Sequence, residues 1–106
     1  WNTNRPFVED ARVDNFIKRK PSGAYPSGHT ACSRVIAEAL GQVLPEKRPA
    51  LRQRAADYAW HRVIAGVHYP HDLKGGEQLA MLVVGALQQN AAYSRDMAAA
   101  RAEISQ

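Results

Sequence analysis

Apolar residues recur at helical spacing through most of the chain beyond residue 27. The pattern predicts a first long helix from about Ser27 to Leu44. Pro45 and Pro49 interrupt it, and a second helix is predicted to follow to about Ala65, ended by Gly66. The first helix carries an apolar stripe that is expected to face the core, formed by Val35, Ile36, Ala39, Leu40, Val43 and Leu44.

Two further helices are predicted in the remainder of the chain. One starts near Pro70, because proline suits the first turn of a helix, and runs to about Gln89. Its apolar residues at helical spacing are Leu79, Leu82, Val83, Ala86 and Leu87. The last runs from Ala92 to Ile104, and residues 1–29 predict a short helical end followed by a long loop. Since no segment alternates like a strand, the fold class is predicted to be all-α.

Composition is that of an ordinary globular chain with a basic balance. The 106 residues fit one domain at most, with 45% hydrophobic and 23% charged residues. The net charge of +4 suits an anionic partner such as a phosphorylated metabolite, a membrane surface or a nucleic acid. No predicted helix has a one-sided basic stripe, which argues against nucleic acid. The longest apolar stretch, Leu79 to Leu87, falls well short of the roughly 20 residues of a membrane span.

The segment Pro26-Ser27-Gly28-His29 lies at the start of the first long helix. Ser27 is a good N-cap, and Gly28 lets a ligand approach the backbone closely. Exposed amides and the positive end of the helix dipole make such a helix start a possible anion site. Taken alone, the segment fits a plain capped helix with a surface histidine equally well.

A second polar segment covers residues 61–72. Arg62 offers a planar fork of donors that suits phosphate oxygens. His68 and Asp72 are four residues apart around a predicted helix start, so the carboxylate can accept the Nδ1 proton and leave Nε2 as a nucleophile. Taken alone, this spacing is common and favours a structural histidine–aspartate pair over a catalytic one.

Together these segments resemble the phosphatidic acid phosphatase type 2 superfamily, and within it the bacterial class A non-specific acid phosphatases. That family shows Lys-x6-Arg-Pro, then Pro-Ser-Gly-His, then Ser-Arg-x5-His-x3-Asp. The second motif is complete at residues 26–29, and the third is matched by Arg62, His68 and Asp72 with both spacings kept. Arg5-Pro6 matches the end of the first motif, whose Lys would fall before Trp1, and His61 stands where the third motif has Ser.

The resemblance implies a role for each matching residue. His68 would attack phosphorus and become phosphohistidine, Asp72 would orient it, and His29 would protonate the leaving oxygen and later activate water. The residues implied to hold the phosphate oxygens are Arg5, Ser27, Gly28 and Arg62. No metal and no cofactor is implied.

The resemblance also sets expectations for the whole protein. It implies a helical bundle of the type 2 phosphatidic acid phosphatase and vanadium haloperoxidase kind. Residues 1–106 are expected to form a single catalytic domain portion that lacks its N-terminal helices. The expected substrates are small phosphomonoesters, with inorganic phosphate as product, in a periplasmic or secreted setting. A homo-oligomer, or association with the missing N-terminal segment, is the expected assembly.

Three other functions remain open on the sequence. A vanadate-dependent haloperoxidase would use the same residues, with His68 as the ligand of vanadate. A membrane-lipid phosphatase would need spanning segments, which this chain does not predict. A phosphate-binding fragment without turnover would keep the motifs but be impaired by the absence of the motif Lys.

Overall fold

A computed structural model describes residues 2–18 and 22–106. Within these ranges the chain forms five helices and a 3₁₀ turn at Pro45–Lys47. The helices are α1 (Pro6–Glu9), α2 (Gly28–Val43), α3 (Arg48–Ile64), α4 (Pro70–Gln88) and α5 (Ala91–Ile104). The described ranges contain no strand, so the predicted all-α class is confirmed. The predicted loop before α2 passes through Arg19, Lys20 and Pro21, which, like Trp1, lie outside the described residues.

The helix ends follow from local chemistry at their termini. Ser27 caps α2, its Oγ accepting a hydrogen bond from the Thr30 amide at 3.3 Å. Asn90 caps α5 in the same way, with Oδ1 accepting from the Tyr93 amide at 2.9 Å. Pro70 occupies the first turn of α4. Gly66, with φ of +75°, ends the turn after α3 in the left-handed region that favours glycine. These signals explain why the predicted helix limits agree with the structure to within a few residues.

Helix α2 is the centre of the molecule, packed between α3 and α4 and crossed near its C-terminal end by α5. Its buried positions are mostly small or polar and include Ala31, Ala37 and Gly41, and Val43 of the predicted stripe is also buried. Ile36 and Leu40, which were predicted to face the core, are 58% and 43% exposed. That part of the prediction was wrong, because α3 and α4 approach α2 over its small residues rather than over its large ones.

Helix α4 shows the same arrangement. Its buried positions are Gly75, Gly76, Ala80 and Val84, together with Asp72. Leu82 is 73% exposed, and Leu79 and Val83 of the predicted stripe are also exposed. A Cβ on Gly76 would lie 2.6 Å from the Ser27 carbonyl oxygen, so α4 meets the start of α2 at a distance that a side chain would prevent. None of the helices in the described ranges has the length and apolar character needed to cross a membrane.

Polar contacts join α2 to the helices beside it. Glu38 of α2 is buried and accepts hydrogen bonds from Arg34 on its own helix and from Arg52 of α3, each at 2.8 Å. At the C-terminal end, the Arg101 guanidinium of α5 donates to the Gln42 carbonyl at 2.7 Å. These contacts fix α3 and α5 on the C-terminal half of α2.

Candidate active site

A cavity of about 770 Å³ opens at the N-terminal end of α2. Four of the seven residues predicted for phosphate chemistry line it: Arg5, Gly28, His29 and His68. The cavity continues between α2 and α3 along an apolar wall formed by Ile36, Leu40, Leu51 and Ala55. Segments far apart in the sequence therefore meet around one space.

Arg5 is buried and held by backbone oxygens from two separate segments. Its Nη1 donates to the Val67 carbonyl at 2.9 Å, and its Nε and Nη2 donate to the carbonyls of Ser22 and Gly23 at 3.2 and 3.1 Å. Nη1 also lies 3.2 Å from Nε2 of His68. The guanidinium is thus fixed beside the imidazole, with its orientation set by the backbone around it.

His68 is buried between a cation and a carboxylate. A guanidinium has donors and no acceptor, so Nε2 facing Arg5 must carry the lone pair. The proton is then on Nδ1, which lies 3.3 Å from Oδ2 of Asp72. Burial lowers the pKa of His68; the charge of Arg5, and to a lesser extent that of Arg62, lowers it further, while Asp72 acts in the opposite direction. The geometry therefore favours a neutral imidazole with Nε2 available as a nucleophile.

Asp72 lies in the first turn of α4 and is completely buried. Its Oδ2 accepts a hydrogen bond from the Tyr69 amide at 2.8 Å, so the carboxylate also caps the helix. Its backbone carbonyl accepts from the Ser27 amide at 2.9 Å, which ties the start of α4 to the start of α2. The carboxylate is consequently held by the backbone on the side where it meets His68.

The other predicted phosphate-binding residues lie at the start of α2 and in the last turn of α3. Gly28 lines the cavity, and a Cβ placed there would meet nothing within 4 Å. The Ser27 hydroxyl is completely buried, accepts from the Thr30 amide and hydroxyl, and does not line the cavity. Arg62 lies in the last turn of α3, is half-buried and does not line the cavity. Its charge nevertheless lowers the pKa of His68.

Comparison with known proteins finds relatives among the acid phosphatases. An acid phosphatase of Zymomonas mobilis is 32% identical over 98% of this chain, and a non-specific acid phosphatase of Salmonella typhi is 33% identical over 94% of it. A non-specific acid phosphatase of Providencia stuartii is 29% identical over 94%. The chain is a homologue of the non-specific acid phosphatases. It spans 41 to 42% of the length of these relatives, and no model of a protein family matches it.

In this acid phosphatase homologue, His29 projects from the first turn of α2 into the cavity. The ring of Tyr58, from α3, lies 6.1 Å from the His29 ring, centroid to centroid. Tyr58 was not among the predicted site residues. It lies four residues before Arg62 on one face of α3, and this spacing is the sequence signal that could have indicated it. Tyr58 therefore forms part of the cavity wall beside His29.

Two other histidines of the acid phosphatase homologue lie outside the cavity lining. His61, which stands where the family motif has Ser, is exposed on α3. His71 is also exposed, but its Nε2 lies 3.2 Å from Oδ1 of Asp72. In the part of the chain that the structure describes, no three His, Cys, Asp or Glu side chains come together as a metal site would require.

Proposed function

We propose that this chain hydrolyses small phosphomonoesters as an acid phosphatase, with His68 as the nucleophile. The names of its relatives support phosphatase activity. The observation that carries the proposal is the placement of His68, whose Nε2 lies in the cavity 3.2 Å from the fixed guanidinium of Arg5 while Nδ1 faces Asp72. A nucleophile and a cation are thus side by side where a phosphoryl group can enter.

In the proposed first step, the phosphate monoester enters the cavity and its oxygens accept from the amides at the start of α2 and from the Nη1 of Arg5 that otherwise faces His68 Nε2. The other N–H groups of this guanidinium stay bonded to Ser22, Gly23 and Val67. The lone pair of His68 Nε2 forms a bond to phosphorus as the bond from phosphorus to the ester oxygen breaks. His29, protonated at the start, gives its proton to the departing oxygen, and the alcohol leaves. Asp72 stabilises the positive charge that develops on His68.

In the proposed second step, His29 accepts a proton from water as the water oxygen bonds to phosphorus. The bond between phosphorus and His68 Nε2 breaks, its electron pair returns to the imidazole, and inorganic phosphate is released. Arg5 and Arg62 offset the negative charge of the phosphoryl oxygens in both steps. The route uses no metal, and the lowering of the His68 pKa by burial and by Arg5 suits it because the nucleophile must keep the lone pair of Nε2.

Phosphoenzyme trapping and turnover of p-nitrophenyl phosphate test this mechanism together. We expect His68→Ala to abolish both turnover and acid-labile, base-stable labelling by a ³²P-labelled substrate, because the nucleophile is lost. We expect His29→Ala to lose turnover while still accumulating label when the leaving group is nitrophenolate, which needs little protonation. His61→Ala is the matched control, since His61 is an exposed histidine outside the cavity.

Other results would identify the alternatives. Phosphate binding by the wild-type chain without turnover or labelling would indicate a non-catalytic phosphate-binding fragment. Bromination by the chain in vanadate, peroxide and bromide, without phosphatase turnover, would indicate a haloperoxidase. Turnover that EDTA abolishes and a divalent metal restores would contradict the metal-independent route. The periplasmic or secreted setting stays a prediction.

A further inference from the structure

The two oxygens of the Asp72 carboxylate have different surroundings. Oδ2 meets the Tyr69 amide and Nδ1 of His68. Oδ1 is buried and has no hydrogen-bond partner among the described residues. The group that faces Oδ1 is the Nε2 of His71, at 3.2 Å, close enough for an ion pair when the imidazole is protonated, although its geometry does not meet that of a hydrogen bond. Leaving a buried carboxylate oxygen without a partner is costly, so the contact with His71 matters.

The His71 ring is exposed to solvent and yet restrained. Its side chain is 65% exposed, so solvent reaches the ring. The ring of Tyr69 lies against it at 5.5 Å with an interplanar angle of 9°, and the ring of Tyr25 lies 6.1 Å away. Aromatic rings on this scale of distance favour a fixed and cationic partner. The stacking therefore restrains the ring at a position where Nε2 is 3.2 Å from Oδ1 of Asp72.

We propose that His71 is a positioning residue that, when protonated, pairs with Oδ1 of Asp72 and thereby keeps His68 unprotonated in acid. The proposal rests on the proposed function of His68 as nucleophile. It makes the exposed histidine a sensor of solvent pH, connected to the nucleophile through one shared carboxylate. The motif spacing predicted the pair of His68 and Asp72 but gave no role to the residue between them.

Charged and titratable groups surround the rings of His71 and His68. His71 faces Asp72 on its own turn and the phenols of Tyr69 and Tyr25, with Glu9 of α1 bonded to the Tyr69 hydroxyl. For His68, the charged neighbours are Arg5, Arg62 and Asp72. Of these, Asp72 alone favours the protonated imidazole. A positive charge on His71 offsets the charge of Asp72, so His68 loses the one influence that raises its affinity for a proton.

Two substitutions at position 71 separate charge from shape. His71→Gln removes the charge and keeps a donor of similar reach, whereas His71→Lys keeps a permanent positive charge. On the acid side of the pH optimum, we expect kcat/KM of His71→Gln to fall about two- to fivefold below wild type, with less than a twofold change at the optimum. We expect His71→Lys to keep the wild-type acid limb or move it to lower pH. His61→Gln is the matched control and should superimpose on wild type.

A second measurement does not need turnover. The imidazole ¹⁵N resonances of His68 in the whole chain report its protonation directly. We expect its titration midpoint to move to higher pH in His71→Gln and not in His71→Lys or His61→Gln. Superimposable His68 titrations in wild type and His71→Gln would overturn the inference, as would an equal loss of kcat/KM at all pH values in both position 71 variants. A wild-type chain without turnover would contradict the proposed function instead, and the ¹⁵N titration would still decide the role of His71.

Discussion

His68 is buried with a lone pair facing a cation and a proton facing a carboxylate. Each partner acts on a different atom of the ring, Arg5 on Nε2 and Asp72 on Nδ1. The contact with Asp72 sets the tautomer, and the contact with Arg5 keeps the free nitrogen in the cavity. At the scale of the residue, the site is a single imidazole whose proton lies on Nδ1.

The Asp72 side chain provides a direct test of this tautomer. We expect Asp72→Asn to lower kcat for p-nitrophenyl phosphate by about 10²- to 10⁴-fold, because an amide can turn its NH₂ group toward His68 and favour the wrong tautomer. The thermal midpoint should change little, since the amide oxygen can still accept from the Tyr69 amide and cap α4. A variant with wild-type kcat would show that the carboxylate has no part in orienting His68.

At the scale of the element, the contact between α4 and the start of α2 depends on the absence of side chains. Gly76→Ala would place a Cβ 2.6 Å from the Ser27 carbonyl oxygen and 2.8 Å from the Thr30 Cβ. We expect this change to lower the free energy of unfolding by about 1–3 kcal/mol, because backbone atoms of α2 must move. Gly85→Ala on the same helix meets nothing within 4 Å and should be neutral or stabilise by up to about 1 kcal/mol. Equal effects in urea unfolding of the two variants would contradict the close approach.

The contact between α2 and α3 depends on a buried charge. Hydrogen bonds from Arg52 lower the pKa of Glu38 most, and those from Arg34 add to the effect against the opposing influence of burial. We expect Glu38→Gln to lower the free energy of unfolding at neutral pH by about 1–3 kcal/mol, because two guanidinium groups lose their anionic partner. The control is Glu46→Gln in the exposed 3₁₀ turn, which should change it by less than about 0.5 kcal/mol. Calorimetry of both variants measures the difference.

Sequence reasoning predicted the helices well and their buried faces poorly. Helix limits depend on local signals such as the Ser27 cap and Pro70, and these can be read from a few neighbouring residues. The contact between His68 and Asp72 is equally local. The buried face of α2 depends on which helices pack against it, so the apolar stripe that includes Ile36 and Leu40 did not show where α3 and α4 would lie. Arg5 reached the prediction through the family motif, because its partners lie in other segments, 17 to 63 residues away.

At the scale of the whole molecule, two titrations make stability depend on pH. The folded chain binds a proton at His68 less readily than the unfolded chain, so acidification through the ordinary histidine value of 6.5 favours unfolding. The contribution of Glu38 is present above its ordinary value of 4.5 and is lost as the pH falls through the lower value of the folded state. Both groups lower the free energy of unfolding as the pH falls, so stability should decrease steadily from neutral pH into acid.

Thermal unfolding between pH 7 and pH 2 checks this expectation and separates its two causes. We expect the midpoint to fall on acidification in the wild-type chain. His68→Gln should flatten the upper part of this profile, because its side chain does not titrate, and Glu38→Gln should flatten the lower part. A wild-type midpoint that rises or stays constant as the pH falls would contradict the assigned directions.

The guanidinium of Arg5 joins two distant stretches of backbone, at residues 22–23 and at residue 67, while it faces the nucleophile. An anion site built in this way has no partly assembled form, because the group that binds the ligand is also the group that fastens the segments together. Affinity for an oxyanion should therefore vanish in denaturant at the same midpoint as helical structure, in one concerted transition. Occupancy of the site is, in effect, a measure of whether the whole chain is folded.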